Sequence, residues 1–308
     1  MSGSVSPLAW TGNKGCIYKT IDAFMPPHRT YVEPCMGSAE VFFRKAPVQK
    51  EILNDYNGDL VKFFRVLQRS EKLAYLLGRL YLSFNSEELF RANKALLADV
   101  PNILDDLTET AVTIENADWQ DIELAVAFFE NQTFSFSSTG KTFAIAKKDM
   151  TKKFGRIVAA CSRLRNAIIM HRDYKDCINY AAGKDTFILL DPPYKGTENY
   201  YQKANFDEDE HAQLFAYMNE IHKKFSGECK FLITYNNDPY ILELAAKYGF
   251  YTYVQERLHN MAQSSKPGEM FEELLIGNYD LEKQARENEK YLKELNRQLN
   301  LFDYKYNY

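Results

Sequence analysis

The chain reads as an α/β protein: a mostly parallel sheet built by strand and helix alternation, broken by an inserted, largely helical domain. Two observations predict this. Short apolar runs ending in polar or small residues precede helical stretches on both sides of the chain's middle, whereas residues 68–165 break that alternation. The 308 residues, 45% hydrophobic and 14% aromatic, are enough to bury the core that such a domain with an insertion needs.

In order, Arg29-Thr-Tyr-Val-Glu-Pro forms a strand, Cys35-Met-Gly-Ser-Ala39 a small-residue turn, and the residues after it the start of a helix. Glu51-Ile-Leu-Asn-Asp-Tyr-Asn repeats the pattern and leads into a helix around Leu60 to Leu67. Residues 68–165 read as helices followed by one hairpin from Gln132 to Ala144, turning near Thr139-Gly140. Strands resume at Thr186-Phe-Ile-Leu-Leu and Lys230-Phe-Leu-Ile-Thr-Tyr. From Asp280 onward, Leu281, Ala285, Leu292, Leu295 and Leu299 recur at helical spacing amid dense charge, giving a helix with one apolar stripe. The resulting division is 1–67, an inserted 68–165, 166–279, and a terminal 280–308.

Neither secretion nor membrane spanning is expected: the start MSGSVSPLAW lacks a basic then apolar character, and no run approaches eighteen uncharged apolar residues. A cytoplasmic protein is the expectation. Five scattered cysteines without a CxxC pair argue against a disulfide framework or structural zinc, and the five histidines show no metal-ligand spacing, so no metal is expected. Net charge −4 does not advertise a nucleic-acid binder. Its distribution does: residues 95–140 hold nine acidic side chains and no Lys or Arg, and residues 141–175 hold ten basic against two acidic. Two solvated helix faces of opposite sign would look the same.

Asp191-Pro192-Pro193-Tyr194 closes an apolar strand, and that position makes it chemical. A conjugated amine is a poor nucleophile until acceptors draw its hydrogens, and with them its lone pair, out of the ring plane. The Asp191 carboxylate and the Pro192 carbonyl would be those acceptors, fixed by the prolines, with Tyr194 stacked on the extruded base. A proline-rich turn after a strand is the plain alternative. Asp55, roughly twenty residues after the glycine turn, suits ribose hydroxyls, although an isolated aspartate there also suits a helix cap. Trp10-Thr-Gly12-Asn-Lys14 is either a cap over a cofactor or a flexible start.

Together these segments resemble the Dam-type family of adenine-specific DNA methyltransferases, the D12 class, over roughly residues 7–279. Trp10-Thr-Gly-Asn-Lys14 looks like its WxGGK start, Tyr31-Val-Glu-Pro like its first strand, Asn54-Asp55-Tyr-Asn57 like its NDxN segment, and DPPY is its catalytic signature. The resemblance implies a Rossmann-like S-adenosylmethionine-dependent methyltransferase sheet acting on the exocyclic amine of adenine in double-stranded DNA. Trp10, Lys14, Asp55 and Asp191 would line the cofactor, with Glu33 and Gly37 near its methionine part. DNA recognition would fall between NDxN and DPPY, with Lys141, Lys147, Lys148, Lys152, Lys153 and Arg156 meeting phosphates.

The family's FxGxG turn here reads Cys35-Met-Gly-Ser-Ala39, and its recognition hairpin is not legible in residues 131–148, so no target sequence follows. A methyltransferase for another planar amine, or a silent DNA-binding regulator of the same fold, are the rival readings. At the tail, Gln298-Leu299-Asn300-Leu301-Phe302 resembles the QLxLF peptide that docks bacterial proteins on the sliding clamp. Gln298 would set register while Leu299, Leu301 and Phe302 supply apolar anchors. The competing reading packs the same residues on the parent fold.

Overall fold

A computed structural model of the chain describes residues 4–105, 119–145, 149–197, 206–258 and 270–306. Five strands run parallel: β1 (Thr30–Glu33), β2 (Lys50–Asn54), β3 (Ile168–Met170), β4 (Thr186–Leu190) and β5 (Lys230–Asn236). β6 (Tyr251–Leu258) and β7 (Met270–Gly277) complete the sheet antiparallel, in the order β3-β2-β1-β4-β5-β7-β6. The order reverses between β1 and β4, so a crevice opens beyond their carboxyl ends, where ligands settle in open α/β sheets.

Strand residues alternate between two cores, as a period of two demands when both faces are covered. Tyr31, Leu53 and Leu189 face the layer carrying α1 (Tyr18–Phe24), α2 (Glu40–Arg44) and α3 (Gly58–Leu67). Val32, Ile52, Ile188 and Leu190 face the other layer, built from α8 (Tyr174–Ala181), α9 (Glu208–Lys224) and α10 (Pro239–Lys247). Between β2 and β3 stand α4 (Ser70–Tyr81), α5 (Glu87–Ala98), α6 (Trp119–Phe134) and α7 (Phe154–Leu164). They share the first core: Leu80, Phe90, Phe128 and Ile157 join Phe63 and Phe64 of α3 in a single apolar cluster.

The expected hairpin at 132–144 is mostly absent, because α6 continues through Phe134 and leaves only the bridge Ser135 to Phe143 and a turn at Gly140. Residues 124–134 are buried on every side of that helix, so tertiary burial overrides the strand-like alternation of Phe134 and Phe136. Of the nine residues in the acidic run five are described, and all of these but the exposed Asp99 are paired. Asp105 pairs with Arg65 at 2.6 Å, Asp121 with Lys62 at 2.8 Å and Glu123 with Arg79 at 2.6 Å, while buried Glu130 accepts from Ser83 and Asn93. The first two pairs tie the insertion to α3 beneath it, and the others join its own helices.

The last helix, α11 (Leu281–Tyr306), packs on α1 only at its start, where Leu281 is buried and Asn288 donates to the carbonyls of Ala23 and Met25. Beyond that, Leu292 is 55% and Leu295 37% exposed, so the stripe leaves the parent fold. The backbone stays helical through residues 298–302, whereas docking as an extended peptide would require those turns to unwind; their side chains lie outside the described residues. Among the described residues no helix is long and apolar enough to cross a membrane, and no group of His, Cys, Asp and Glu could hold a metal ion.

One buried cluster joins the insertion to the sheet. Glu51 on β2 meets Lys45 at 2.7 Å and Arg163 of α7 at 2.5 Å, with the Arg163 guanidinium over the Phe42 ring. Replacing Glu51 by Gln leaves two buried cations without their counter-charge, so urea unfolding of that variant is expected to show a loss of about 3–5 kcal/mol. A midpoint equal to the wild type's would show that the cluster contributes nothing.

Candidate active site

Asp191 is the first residue after β4, at the reversal of strand order. Both its oxygens are held: Oδ2 meets Lys14 Nζ at 2.7 Å, and Oδ1 accepts from the Thr234 hydroxyl at 2.6 Å. Burial pushes its carboxyl above the ordinary aspartate range, while the Lys14 ammonium and the Thr234 hydroxyl act against that. Each oxygen keeps acceptor capacity for one more donor.

Lys14 reaches Asp191 because the amino-terminal segment is docked rather than loose. Glu40 of α2 accepts from Ser4 Oγ at 2.6 Å and from the backbone of Val5 and Ser6, and Asn13 Nδ2 donates to the same carboxylate at 3.0 Å. Lys14 Nζ also donates to the Gly12 carbonyl at 2.6 Å and lies 4.9 Å from the centre of the Tyr194 ring.

The turn after β1 uses left-handed backbone at Gly37 (φ 47°) and Ala39 (φ 52°). At Gly37 a side chain is excluded twice, by that φ and by Trp10, whose Nε1 would lie 2.9 Å from an added Cβ. Ala39 holds, where the family has glycine, a conformation that costs an L-residue about 1–2 kcal/mol. The Gly37 amide donates to Asp55 Oδ2 at 3.0 Å and the Asn57 amide to Oδ1 at 2.9 Å. Asp55 is therefore not the helix cap; Asn57 caps α3. Burial pushes the Asp55 carboxyl up to about 6 against those amides, and burial pushes Glu33 up to about 7 against the Tyr31 hydroxyl and the Phe42 amide.

A cavity of about 440 Å³ opens at the crevice, walled by Trp10, Gly37, Asp55, Asp191 and Pro193 together with Lys94, Phe128, Asn131 and Gln132 of the insertion. A small side chamber of about 30 Å³ adds Lys14 and Glu33 to Trp10, Gly37 and Asp191. All six residues expected around a cofactor thus meet in two adjoining spaces. Pro192 is buried and Tyr194 half-buried, and neither forms part of the lining. Tyr194 instead donates to Glu273 at 2.6 Å, and Glu273 accepts two bonds from Arg257.

The expected DNA contacts divide. Lys152 is exposed just before α7 and Arg156 in its first turn, whereas Lys153 turns inward to the Thr133 hydroxyl at 3.2 Å and Lys141 is half-buried in the loop beside Lys94. Lys147 and Lys148 lie outside the described residues. Elsewhere in the basic run, Arg163 and Arg172 are structural and Lys175 pairs with Glu210.

Sequence reasoning missed Thr234, Glu273, Arg257 and the cavity walls from α5, α6 and α8. Thr234 follows an apolar run as Asp55 does, and that shared position was the available signal. The partnership of Glu273 with Tyr194 rests on pairing between β5 and β7, which carries no local signature.

A sequence profile of the D12 class of N6 adenine-specific DNA methyltransferases matches residues 10–265. Two relatives agree. The DNA N-6-adenine-methyltransferase of Escherichia phage P1 is 27% identical over 80% of this chain, which spans only 31% of that relative's length. A type II methyltransferase of Lactococcus lactis subsp. cremoris is 23% identical over 88% of this chain and 94% of the relative.

Removing the Lys14 ammonium takes away the nearest charge that favours ionised Asp191. In Lys14→Met the Asp191 carboxyl is expected to titrate upward by about one pH unit or more, followed by carbon NMR of labelled aspartate with Asp191→Asn as the assignment control. An unmoved midpoint would mean that the pair is not electrostatically coupled.

Proposed function

The chain belongs to the D12 class of N6 adenine-specific DNA methyltransferases, and on that premise we propose that it moves a methyl group from S-adenosylmethionine to the exocyclic N6 of an adenine extruded from double-stranded DNA. The observation that carries the reading is that Asp191, Asp55 and Trp10 wall one cavity. S-adenosylmethionine supplies an electrophilic methyl on its sulfonium.

The residues fit such a cofactor. Asp55 is a half-buried carboxylate on the wall, held above its ordinary range by desolvation, so hydroxyl donors from a ribose would stabilise its ionised form. A volume of about 440 Å³ lies in the range of ligand sites. Glu33 and Lys14 sit in the side chamber next to Asp191, where an amino-acid end carrying both an ammonium and a carboxylate would find partners of opposite sign.

Asp191 then does the chemistry expected of it. Thr234 and Lys14 fix both carboxylate oxygens before any substrate arrives, so accepting an amine hydrogen needs little reorganisation. The Pro192 carbonyl would accept the second hydrogen and Tyr194 would offer its ring to the base. Glu273, itself held by Arg257, accepts from the Tyr194 hydroxyl and so limits how that ring turns. Lys152 and Arg156 are the exposed cations proposed to meet DNA phosphates.

Two variants test this with labelled cofactor and DNA. Asp191→Ala is expected to stay folded and to lose roughly 10²–10³ in transfer rate; more than half of wild-type turnover would refute the role. Cofactor affinity of the wild type is expected to weaken as pH falls through about 6, because a protonated Asp55 accepts fewer hydroxyl hydrogens. Asp55→Asn should bind more weakly and lose that inflection, while Glu33 titrates in both proteins. An unchanged dissociation constant and profile would remove Asp55 from the site.

A further inference from the structure

Near the end of α6, Asn131 and Gln132 are 6% and 7% exposed, and both line the cavity shared by Asp55, Trp10 and Asp191. Asn131 Nδ2 donates to the Gly140 carbonyl at 3.3 Å, which fixes which end of that amide is nitrogen. The close approach depends on Gly140, with φ 71°, since an added Cβ would lie 3.0 Å from Gln132 Nε2 and 3.2 Å from Asn131 Nδ2. Asn131 Oδ1 and Gln132 Oε1 have no hydrogen-bond partner among the described residues.

Buried acceptors left unpaired in a native fold destabilise it, and few occur without a reason. Here the two side chains line a cavity of mixed polar and apolar walls rather than sealed apolar core, with both oxygens closed to solvent. Their surroundings match a flat, partly apolar ligand: Phe128 lies one turn earlier on the same helix, with Leu97 and Ala98 of α5 in the same wall. A neutral carboxamide, whose oxygen accepts and whose nitrogen donates, is suited to the amine and ring nitrogen of adenine, the pairing by which Asn and Gln read that base.

We propose that the carboxamides of Asn131 and Gln132 recognise the amine edge of an adenine ring in this cavity, which makes α6 of the insertion part of the ligand site. The assignment rests on the function proposed above, under which two adenines enter the crevice, the cofactor's and the extruded base. Both present the same chemistry, so the test separates them.

The probes are S-adenosylhomocysteine, its inosine counterpart in which a carbonyl replaces the amine, and plasmid DNA. The variants are Gln132→Met, which leaves the Asn131 bond to Gly140 untouched, and Asn131→Leu. If the cofactor's adenine is read, the wild type prefers the adenosine ligand by about tenfold, and the variants lose that preference, as removal of one buried hydrogen bond implies. If the extruded base is read, cofactor affinity is unchanged and KM for DNA rises about tenfold. The preference is a ratio taken on one protein, so a lowered melting point does not obscure it. Both variants within twofold of wild type in both arms would overturn the assignment. A wild type that binds S-adenosylhomocysteine yet methylates no DNA refutes the proposed substrate, and the cofactor arm then stands on its own. A wild type that binds neither ligand refutes the proposed function and this assignment with it.

Discussion

A half-buried carboxylate at the end of a central strand must be compensated, and the ion pair between Asp191 and Lys14 at 2.7 Å does this for the whole site. Leaving such a charge unpaired costs several kcal/mol, so the segment carrying Lys14 has to lie across the carboxyl ends of β1 and β4. That requirement propagates. Glu40 anchors residues 4–6 and Asn13, Trp10 comes to rest against Gly37, and a side chain at position 37 becomes impossible. The amino terminus is therefore a wall of the cavity and not an appendage to it.

The inserted helices are bound to the site in a second way. α4 to α7 share one apolar cluster with α3, and ion pairs such as Asp105 with Arg65 fasten them to the helical layer. Thr11 Oγ1 donates to the Ser137 carbonyl at 2.6 Å, so the loop after α6 touches the amino-terminal wall directly. An insertion read from sequence as a separate recognition unit thus supplies part of the chamber itself. A shift of α6 would be felt at Trp10, whose ring lies 6.4 Å from that of Phe128.

Much of the scaffold was legible because local pattern and global fold agree there. Thr186–Leu190 is continuously apolar since it is covered on both faces, and the polar residues that follow mark the carboxyl end where sites form. Asp191, Asp55, Trp10 and Lys14 were each readable from position or motif. The illegible parts depend on tertiary context. α6 is buried on every side over residues 124–134, so no single apolar stripe marks it as a helix, and its last turn resembled a strand. The acidic run looked solvated because its partners, Lys62, Arg65 and Arg79, lie 40 or more residues away in sequence. The basic run looked uniform, yet Arg163 and Arg172 are consumed by the fold, leaving Lys152, Arg156 and Arg165 outward among the described residues.

Under the proposed function one chamber, walled by Trp10, Asp55 and Asp191, holds the cofactor next to the reacting carboxylate. A crystal structure with S-adenosylhomocysteine tests it most directly. The account predicts ribose hydroxyls within about 3 Å of the Asp55 carboxylate, and the ligand's sulfur at the side of the chamber that Asp191 and Lys14 border. A ligand bound outside this chamber, or one whose ribose leaves Asp55 untouched, would contradict it.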